Sequence, residues 1–381
     1  MSSAGADDGG GGQPTGVGPR RILSLDGGGI LAVFSIEILG RIEAQLREHY
    51  GRPDLVLADH FHLIAGTSSG AIIGALLSWG HPVARIRELY RTGAQKMFRK
   101  TPLWQFYLAK YRHDALTKVL KELFAEDDGS AALLGTKKLR TLLAVVMRNA
   151  STGSAWPVTN NPRAKYNQRL DEQGEAYPGC NLDLPLWQLV RASTAAPWYF
   201  PPEIIRLPPH EFTFLDGGIT AYNNPALVAA LTATLPAYRI EWPTGPDRLQ
   251  LVSIGTGATR TRLSRTLNFM VKRLTVAMSV PGGLLESITQ QQDMLCRVLG
   301  ECVFGDSLDR EVGDLRPSGL LAPQEKKFRY VRYNKTFTAA EVDAASRQSG
   351  PFQLDNLRLM DLLRAAGEKY ARENVRLEHV V

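Results

Sequence analysis

At 381 residues and 44% hydrophobic content, the chain can bury a large core; length alone suggests two or three domains, but α/β enzymes of this size often form one, and one is expected here. A formal charge of +7 favours anionic surfaces or nucleotides as partners, while the lack of a zinc finger, helix-turn-helix or aromatic RNA-binding signature argues against nucleic acid. No run of about 18 apolar residues occurs, which excludes an apolar transmembrane helix and leaves lipid to be met at a surface.

Residues 1–19 are glycine-rich, carry Asp7 and Asp8 and lack an apolar stretch, so they read as a disordered tail and not a signal peptide. Residues 20–381 are expected to form the folded domain with a C-terminal helical extension. The strand-like run 21–25 leads into Asp26-Gly27-Gly28-Gly29, followed by a helix at 31–48 with apolar positions Leu31, Phe34, Ile38, Ile42 and Leu46. Three glycines between a strand and a helix form a nest of backbone N–H donors able to bind a negative oxygen. A dinucleotide fingerprint fits poorly, because Ala32 stands where its last glycine belongs and Glu43 and Glu48 fall inside the helix.

A second strand at 61–66 runs into Gly66-Thr67-Ser68-Ser69-Gly70, which fits G-x-S-x-G and makes Ser68 the nucleophile candidate, flanked by Gly66 and Gly70. The apolar helix at 69–79 places Ser68 at the positive end of its dipole. Helices follow at 84–98 and 114–124. Between them Lys96, Arg99, Lys100, Lys110 and Arg112 surround Met97, Phe98, Leu103, Trp104, Phe106, Tyr107, Leu108 and Tyr111, as in an interfacial segment, an active-site lid, or a packed helix with snorkelling lysines. A strand at 139–147 leads to a long connection of aromatic, amide and basic residues, then a helix at 184–193. Phe212-Thr213-Phe214-Leu215-Asp216-Gly217-Gly218 ends a strand at 211–215 in the best candidate acid, Asp216, with Gly217 and Gly218 as its turn. A helix at 224–235, strands at 249–254 and 327–333 and a helix at 355–375 complete an alternation that predicts a doubly wound, mostly parallel α/β sheet with helices on both faces.

Histidine 379 is the only histidine beyond Asp216, and a triad in the order Ser, acid, His would need it. Histidines 49, 60, 62, 81, 113 and 210 precede Asp216, and none sits in a glycine-rich turn. A Ser68–Asp216 dyad is the better reading, with Asp26 holding the glycine loop. Cys180, Cys296 and Cys302 show neither C-x-x-C pairing nor histidines at ligand spacing, which argues against zinc and a disulfide framework.

These motifs resemble the patatin-like phospholipase family from about Arg21 to beyond Leu363: a glycine loop Asp26-Gly27-Gly28-Gly29, an elbow Gly66-Thr67-Ser68-Ser69-Gly70, an acid motif Asp216-Gly217-Gly218, and further blocks Arg191-Ala192-Ser193-Thr194-Ala195-Ala196-Pro197, Tyr222-Asn223-Asn224-Pro225 and Val252-Ser253-Ile254-Gly255-Thr256-Gly257. The chain departs at Leu31-Ala32, where the family usually has Arg or Lys followed by Gly. The resemblance implies a three-layer fold and hydrolysis of fatty-acyl esters of phospholipids without metal or cofactor. Ser68 would attack, Asp216 would take its proton, and the N–H groups of Gly27, Gly28 and Gly29 would hold the oxyanion at roughly 3–4 kcal/mol per donor. An unregulated lipid acyl hydrolase and a non-catalytic phosphate-binding protein are the alternatives.

The connection Arg148-Asn149-Ala150-Ser151-Thr152-Gly153-Ser154-Ala155-Trp156-Pro157 and the run from Asn160 to Asn167 read either as a surface connection or as a loop that stacks bases and pairs phosphates. With the helix that follows, it looks similar to bacterial patatin-like effectors of anti-phage signalling, which are activated by cyclic dinucleotides such as cyclic GMP-AMP. That similarity implies nucleotide contacts at Arg148, Trp156, Arg163, Lys165 and Tyr166, a cytoplasmic enzyme peripheral to the inner membrane when active, and possible homo-oligomers.

Overall fold

A computed structural model describes residues 18–97, 113–170, 174–175, 179–259, 269–316, 319–353 and 355–381. Of the tail expected at 1–19, residues 1–17 lie outside the described residues, as does the part of the basic, aromatic stretch of 96–112 that falls at 98–112. In chain order the elements are β1 (Arg20–Leu25), α1 (Ala32–Tyr50), β2 (Leu63–Thr67), α2 (Ser69–Ser78), α3 (Val83–Met97), α4 (His113–Leu123), β3 (Leu142–Asn149), β4 (Ser154–Thr159), α5 (Leu186–Ser193), β5 (Glu203–Leu207) and β6 (His210–Asp216). Then follow α6 (Ala226–Thr234), β7 (Leu249–Ile254), β8 (Ala258–Thr259), α7 (Phe269–Leu299), β9 (Glu301–Phe304), β10 (Arg329–Tyr333), β11 (Thr336–Phe337), α8 (Ala339–Ser349) and α9 (Met360–Asn374).

Among the described residues nine strands form one sheet in the order β5-β6-β3-β2-β1-β7-β10-β9, with β4 also paired to β3; β8 and β11 form a separate two-stranded sheet. From β3 to β9 every neighbour is parallel. Such strands are apolar on both sides because helices cover both faces. In β1, Leu23 and Leu25 join one core with α1, α2, α5 and α9, while Ile22 joins a second core with Ala226, Ala229 and Ala230 of α6 and Cys296 of α7. The doubly wound, three-layer expectation therefore holds.

The sheet departs from it at one corner, where β4, β5 and β6 run antiparallel. The stretch expected as a long connection after 147 is a hairpin instead: Arg148 and Asn149 end β3, Gly153 turns at φ 73°, and Ala155, Trp156 and Pro157 return in β4. Pro157 obscured the strand in the sequence, yet β4 pairs only with β3, so proline's missing N–H is tolerated at this edge. Helix α7 also passed unforeseen, since it runs through Pro281-Gly282-Gly283, residues that normally interrupt a helix.

That corner sets the site. Strand β2 pairs with β3 from Leu63↔Leu142 to Thr67↔Val146 and stops; the next β3 residue, Met147, pairs with Asp216 at the end of β6. Because β4 occupies the other edge of β3 from Ala144 to Asn149, β2 and β6 share one edge. Their C-terminal ends therefore meet head to head, and the residue after Thr67 is Ser68.

Candidate active site

Ser68 has φ 54° and ψ −124° as the N-cap of α2, a left-handed backbone that costs a non-glycine residue of order 1–3 kcal/mol. The glycines flanking it permit the bend. A Cβ on Gly66 would strike the Gly70 carbonyl, and one on Gly70 would strike the Leu25 carbonyl and come within 2.7 Å of the Asp26 carbonyl oxygen. The Ser68 N–H donates to Ser193 Oγ at 2.9 Å, and that hydroxyl donates to the Val146 carbonyl at 2.6 Å, tying the elbow to α5 and β3.

The Ser68 hydroxyl donates to Asp216 Oδ2 at 2.7 Å, bringing together the two residues singled out in the sequence. The other carboxylate oxygen accepts the Gly218 N–H at 2.7 Å, and the Asp216 N–H donates to the Ala195 carbonyl at 3.0 Å. Gly217 packs against the Val146 carbonyl, with Thr67 Cγ2 3.0 Å from where its Cβ would stand. Asp216 is 4% exposed. Burial pushes its carboxyl up to about 6, opposed by the Ser68 hydrogen bond, the Gly218 N–H and the charge of Arg191. A carboxylate so desolvated is a stronger base than one in water.

Histidine is not part of this arrangement. The ring of His379 lies 2.8 Å from the Tyr333 hydroxyl through Nδ1 and stacks on Phe304 at 4.9 Å between centroids.

The glycine loop abuts the serine: a Cβ on Gly27 would lie 3.1 Å from Ser68 Cβ and 2.5 Å from Asn223 Oδ1. Its three N–H groups are not equivalent, contrary to the expected nest. Asp26 continues the pairing of β1 with β7 by donating to the Ile254 carbonyl at 3.1 Å, but Gly27 turns its N–H to the Asn223 carbonyl, also at 3.1 Å. The Gly28 N–H donates to Ser69 Oγ at 3.1 Å, a hydroxyl that can rotate away. Gly29, at φ 56°, makes no backbone N–H hydrogen bond among the described residues. Asp26 supports the loop from below and not through the loop's amides: its carboxylate binds Arg332 at 2.8 and 2.6 Å, and Arg332 also donates to Ser253 Oγ at 2.7 Å. Burial opposes the Arg332 charge, but the Asp26 carboxylate outweighs it and holds the guanidinium above its ordinary value.

Asn223, Ser193 and Ser69 had no role assigned from the sequence, although all three lie in motifs singled out there. Asn223 Nδ2 reaches the Gly27 carbonyl at 3.3 Å and Thr289 Oγ1 at 3.1 Å, joining the loop to α7. A cleft of about 420 Å³ opens along Gly27 and Gly28, walled by Tyr199, Asn223, Thr256, Leu285 and Thr289. Among the described residues no cluster of His, Cys, Asp or Glu is arranged to hold a metal, and the three cysteines are buried and unpaired.

The five proposed nucleotide contacts divide. Trp156, Lys165 and Tyr166 line a groove of about 550 Å³ with Phe212, His210 and Tyr238. Arg148 and Arg163 do not line it; Arg163 donates to the Ile240 carbonyl at 3.2 Å. Trp156 packs edge-on against Phe212 and Phe214, each 5.2 Å away, so much of its ring serves packing.

Comparison with known proteins agrees with the geometry. The patatin-like phospholipase family model matches residues 23–230. Patatin-17 of Solanum cardiophyllum is 29% identical over 255 residues, 62% of this chain and 60% of that protein. Patatin-like phospholipase 1 of Plasmodium falciparum is 29% identical over 259 residues, covering 65% of this chain and 36% of that one. Among solved structures, VipD from Legionella pneumophila aligns over 93% of this chain and 67% of its own with a TM-score of 0.37 at 13% identity. The chain thus spans 60% and 36% of the lengths of these two curated relatives, in each case less than two thirds. With its glycine loop, serine elbow and Asp-Gly-Gly turn all inside the matched region, the chain belongs to the patatin-like phospholipase family.

Proposed function

We propose that the protein is a serine acyl hydrolase that cleaves fatty-acyl esters of membrane phospholipids through a Ser68–Asp216 dyad. The observation that carries this reading is the 2.7 Å hydrogen bond from the Ser68 hydroxyl to a buried carboxylate raised to about 6. Ser68 Oγ attacks the ester carbonyl as its proton passes to Asp216 Oδ2. The tetrahedral oxyanion takes the Gly29 N–H and, once Ser69 Oγ turns aside, the Gly28 N–H. Collapse expels the alcohol, which receives the proton from Asp216 and leaves an acyl-serine. Water then attacks that ester, giving its proton to Asp216, and the carboxylic acid departs as Ser68 regains its hydrogen. Intact-mass spectrometry after fluorophosphonate treatment tests the assignment: a single adduct on the native chain, lost in Ser68→Ala, is expected, and an adduct that persists in Ser68→Ala sinks it.

Control by a cyclic dinucleotide, as in an anti-phage effector working at the inner membrane, is a second reading. It is supported by the groove in which Trp156, Lys165 and Tyr166 join aromatic faces to a cation. A ligand there can raise activity only by preferring the active state. Phospholipase assays across a panel of cyclic dinucleotides test it, and unchanged rates throughout reject it.

A further inference from the structure

The segment that follows the Asp216 turn is pinned on both sides of Asn223. The Tyr222 carbonyl accepts Thr67 Oγ1 at 2.7 Å, and Asn224 Oδ1 accepts the Ala226 N–H at 3.1 Å and Ser253 Oγ at 3.3 Å. The Asn223 carbonyl itself takes the Gly27 N–H. Its side-chain amide is fixed as well. Thr289 Oγ1 gives its hydrogen to the Leu285 carbonyl at 2.8 Å, so toward Asn223 it can only accept, and the Gly27 carbonyl has nothing to donate. Both neighbours therefore require the Nδ2 hydrogens, which turns Oδ1 the other way.

Two glycines locate that oxygen beside the dyad. The place a Gly27 Cβ would take lies 2.5 Å from Asn223 Oδ1 and 3.1 Å from Ser68 Cβ, and the place a Gly218 Cβ would take lies 2.9 Å from Asn223 Oδ1 and 3.0 Å from Asp216 Oδ1. A water molecule whose O–H···O bonds reach about 3.0 Å spans two acceptors as far apart as these two oxygens can be. Asn223 Oδ1 accepts no hydrogen bond among the described residues, yet it is not one of the fully buried side-chain oxygens without a partner, as Gln250 Oε1 and Gln292 Oε1 are. It is therefore open to water, on a residue that is otherwise 5% exposed and walls the glycine-loop cleft.

We infer that Asn223 is a further catalytic residue, whose Oδ1 holds the water that deacylates Ser68, with the Asp216 carboxylate as the second acceptor. This rests on the Ser68–Asp216 acyl-hydrolase reading. Acylation removes the serine hydrogen, and with it the donor to Asp216 Oδ2, so a water hydrogen can take its place. The other water hydrogen points to Asn223 Oδ1 and stays on its oxygen. As that oxygen bonds to the acyl carbonyl carbon, the first hydrogen passes as a proton to Asp216. The bond from the carbon to Ser68 Oγ then breaks, Oγ takes the proton back from Asp216, and the carboxylic acid leaves. Two fixed acceptors orient the water for attack, which a freely tumbling water lacks. Acylation needs no such water, so the two half-reactions depend on Asn223 differently.

Rapid acid quench of the full chain mixed with p-nitrophenyl butyrate, read by intact-mass spectrometry, follows the rise of butyryl-Ser68 and, once ester is removed, its decay. Asn223→Ala is expected to lower the ratio of decay rate to rise rate about tenfold, the effect of one lost hydrogen bond to the attacking water. The adduct should then accumulate, and hydroxylamine, a nucleophile that needs no base, should restore turnover. Thr289→Val removes the acceptor that orients the amide and leaves Asn223 in place; it should shift the ratio in the same direction, and it keeps the test decisive if Asn223→Ala does not fold. A glycine loop that is merely loosened slows both half-reactions alike, because an oxyanion forms in each. A ratio unchanged from the native value in the folded variants therefore overturns the role of Asn223 and leaves the dyad standing. A native chain that forms neither butyryl-Ser68 nor product overturns the hydrolase reading and this role together.

Discussion

Replacing Asp216 with Asn separates the cost of the dyad from its use. Burial raises this carboxyl from 3.8 to about 6, and at 1.36 kcal/mol per pH unit the ionised group costs the folded state about 3 kcal/mol above pH 7. The sign follows from proton uptake. Between these two values the folded chain holds a proton that the unfolded chain has released, so this residue's contribution to stability falls as pH rises from about 4 to about 6 and stays low above. Asn carries no charge to desolvate. Its Oδ1 can still accept the Gly218 N–H, and its amide can donate to Ser68 Oγ in place of the present reversed bond. Asp216→Asn is therefore expected to be no more stable than the native chain near pH 4, and more stable by up to about 3 kcal/mol at pH 8. Without a general base its kcat/KM should fall by about 10²–10⁴. Urea denaturation of both chains from pH 4 to pH 8 measures the gap. A gap independent of pH, or an amide variant less stable at pH 8, would refute the idea that this carboxylate is held ionised against a dry environment.

If Asp216 is the base proposed above, kcat/KM of the native chain should decline as pH falls through about 6, since protonated Asp216 cannot accept the serine proton; a flat profile down to pH 5 would show that another group sets the base. Ser193→Ala leaves the Ser68 N–H and the Val146 carbonyl without their hydroxyl partner, and should cost about 1–3 kcal/mol in denaturation together with activity, as the elbow loosens. Asp26→Ala leaves the buried Arg332 guanidinium without its carboxylate, with only the Ser253 hydroxyl bonded to it, and should destabilise by about 3–5 kcal/mol, read as a lower urea midpoint. His379→Ala should keep its turnover per folded molecule despite losing the Tyr333 contact; an inactive, fully folded variant would restore a histidine triad.

Much of the site was legible because each part is a local backbone requirement. The turns after β1, β2 and β6 need glycine to pass neighbouring carbonyls, as at Gly66, Gly70 and Gly217, so they announce themselves wherever a strand-like run stops. The alternation of apolar runs with 3.6-period segments likewise gave the parallel body of the sheet. Less legible were features whose cause lies elsewhere in the chain. Trp156 and Pro157 read as loop residues until β3 offered an edge to pair with, and the Gly27 N–H counted as an oxyanion donor until the Asn223 carbonyl came within 3.1 Å.

By itself the sequence determined which side chains could do the chemistry, Ser68 on a strained bend and Asp216 on a glycine turn, and left His379 as the one histidine in chain order for a triad. Only the tertiary structure decided that these two meet. Strand β2 ends against Val146 while β6, running the other way, ends against Met147 on the same edge of β3, and that register brings residues 148 apart in sequence to 2.7 Å. Register between distant strands is fixed by the packing of the whole sheet and its two helical layers, a sum over many side chains that no local pattern contains.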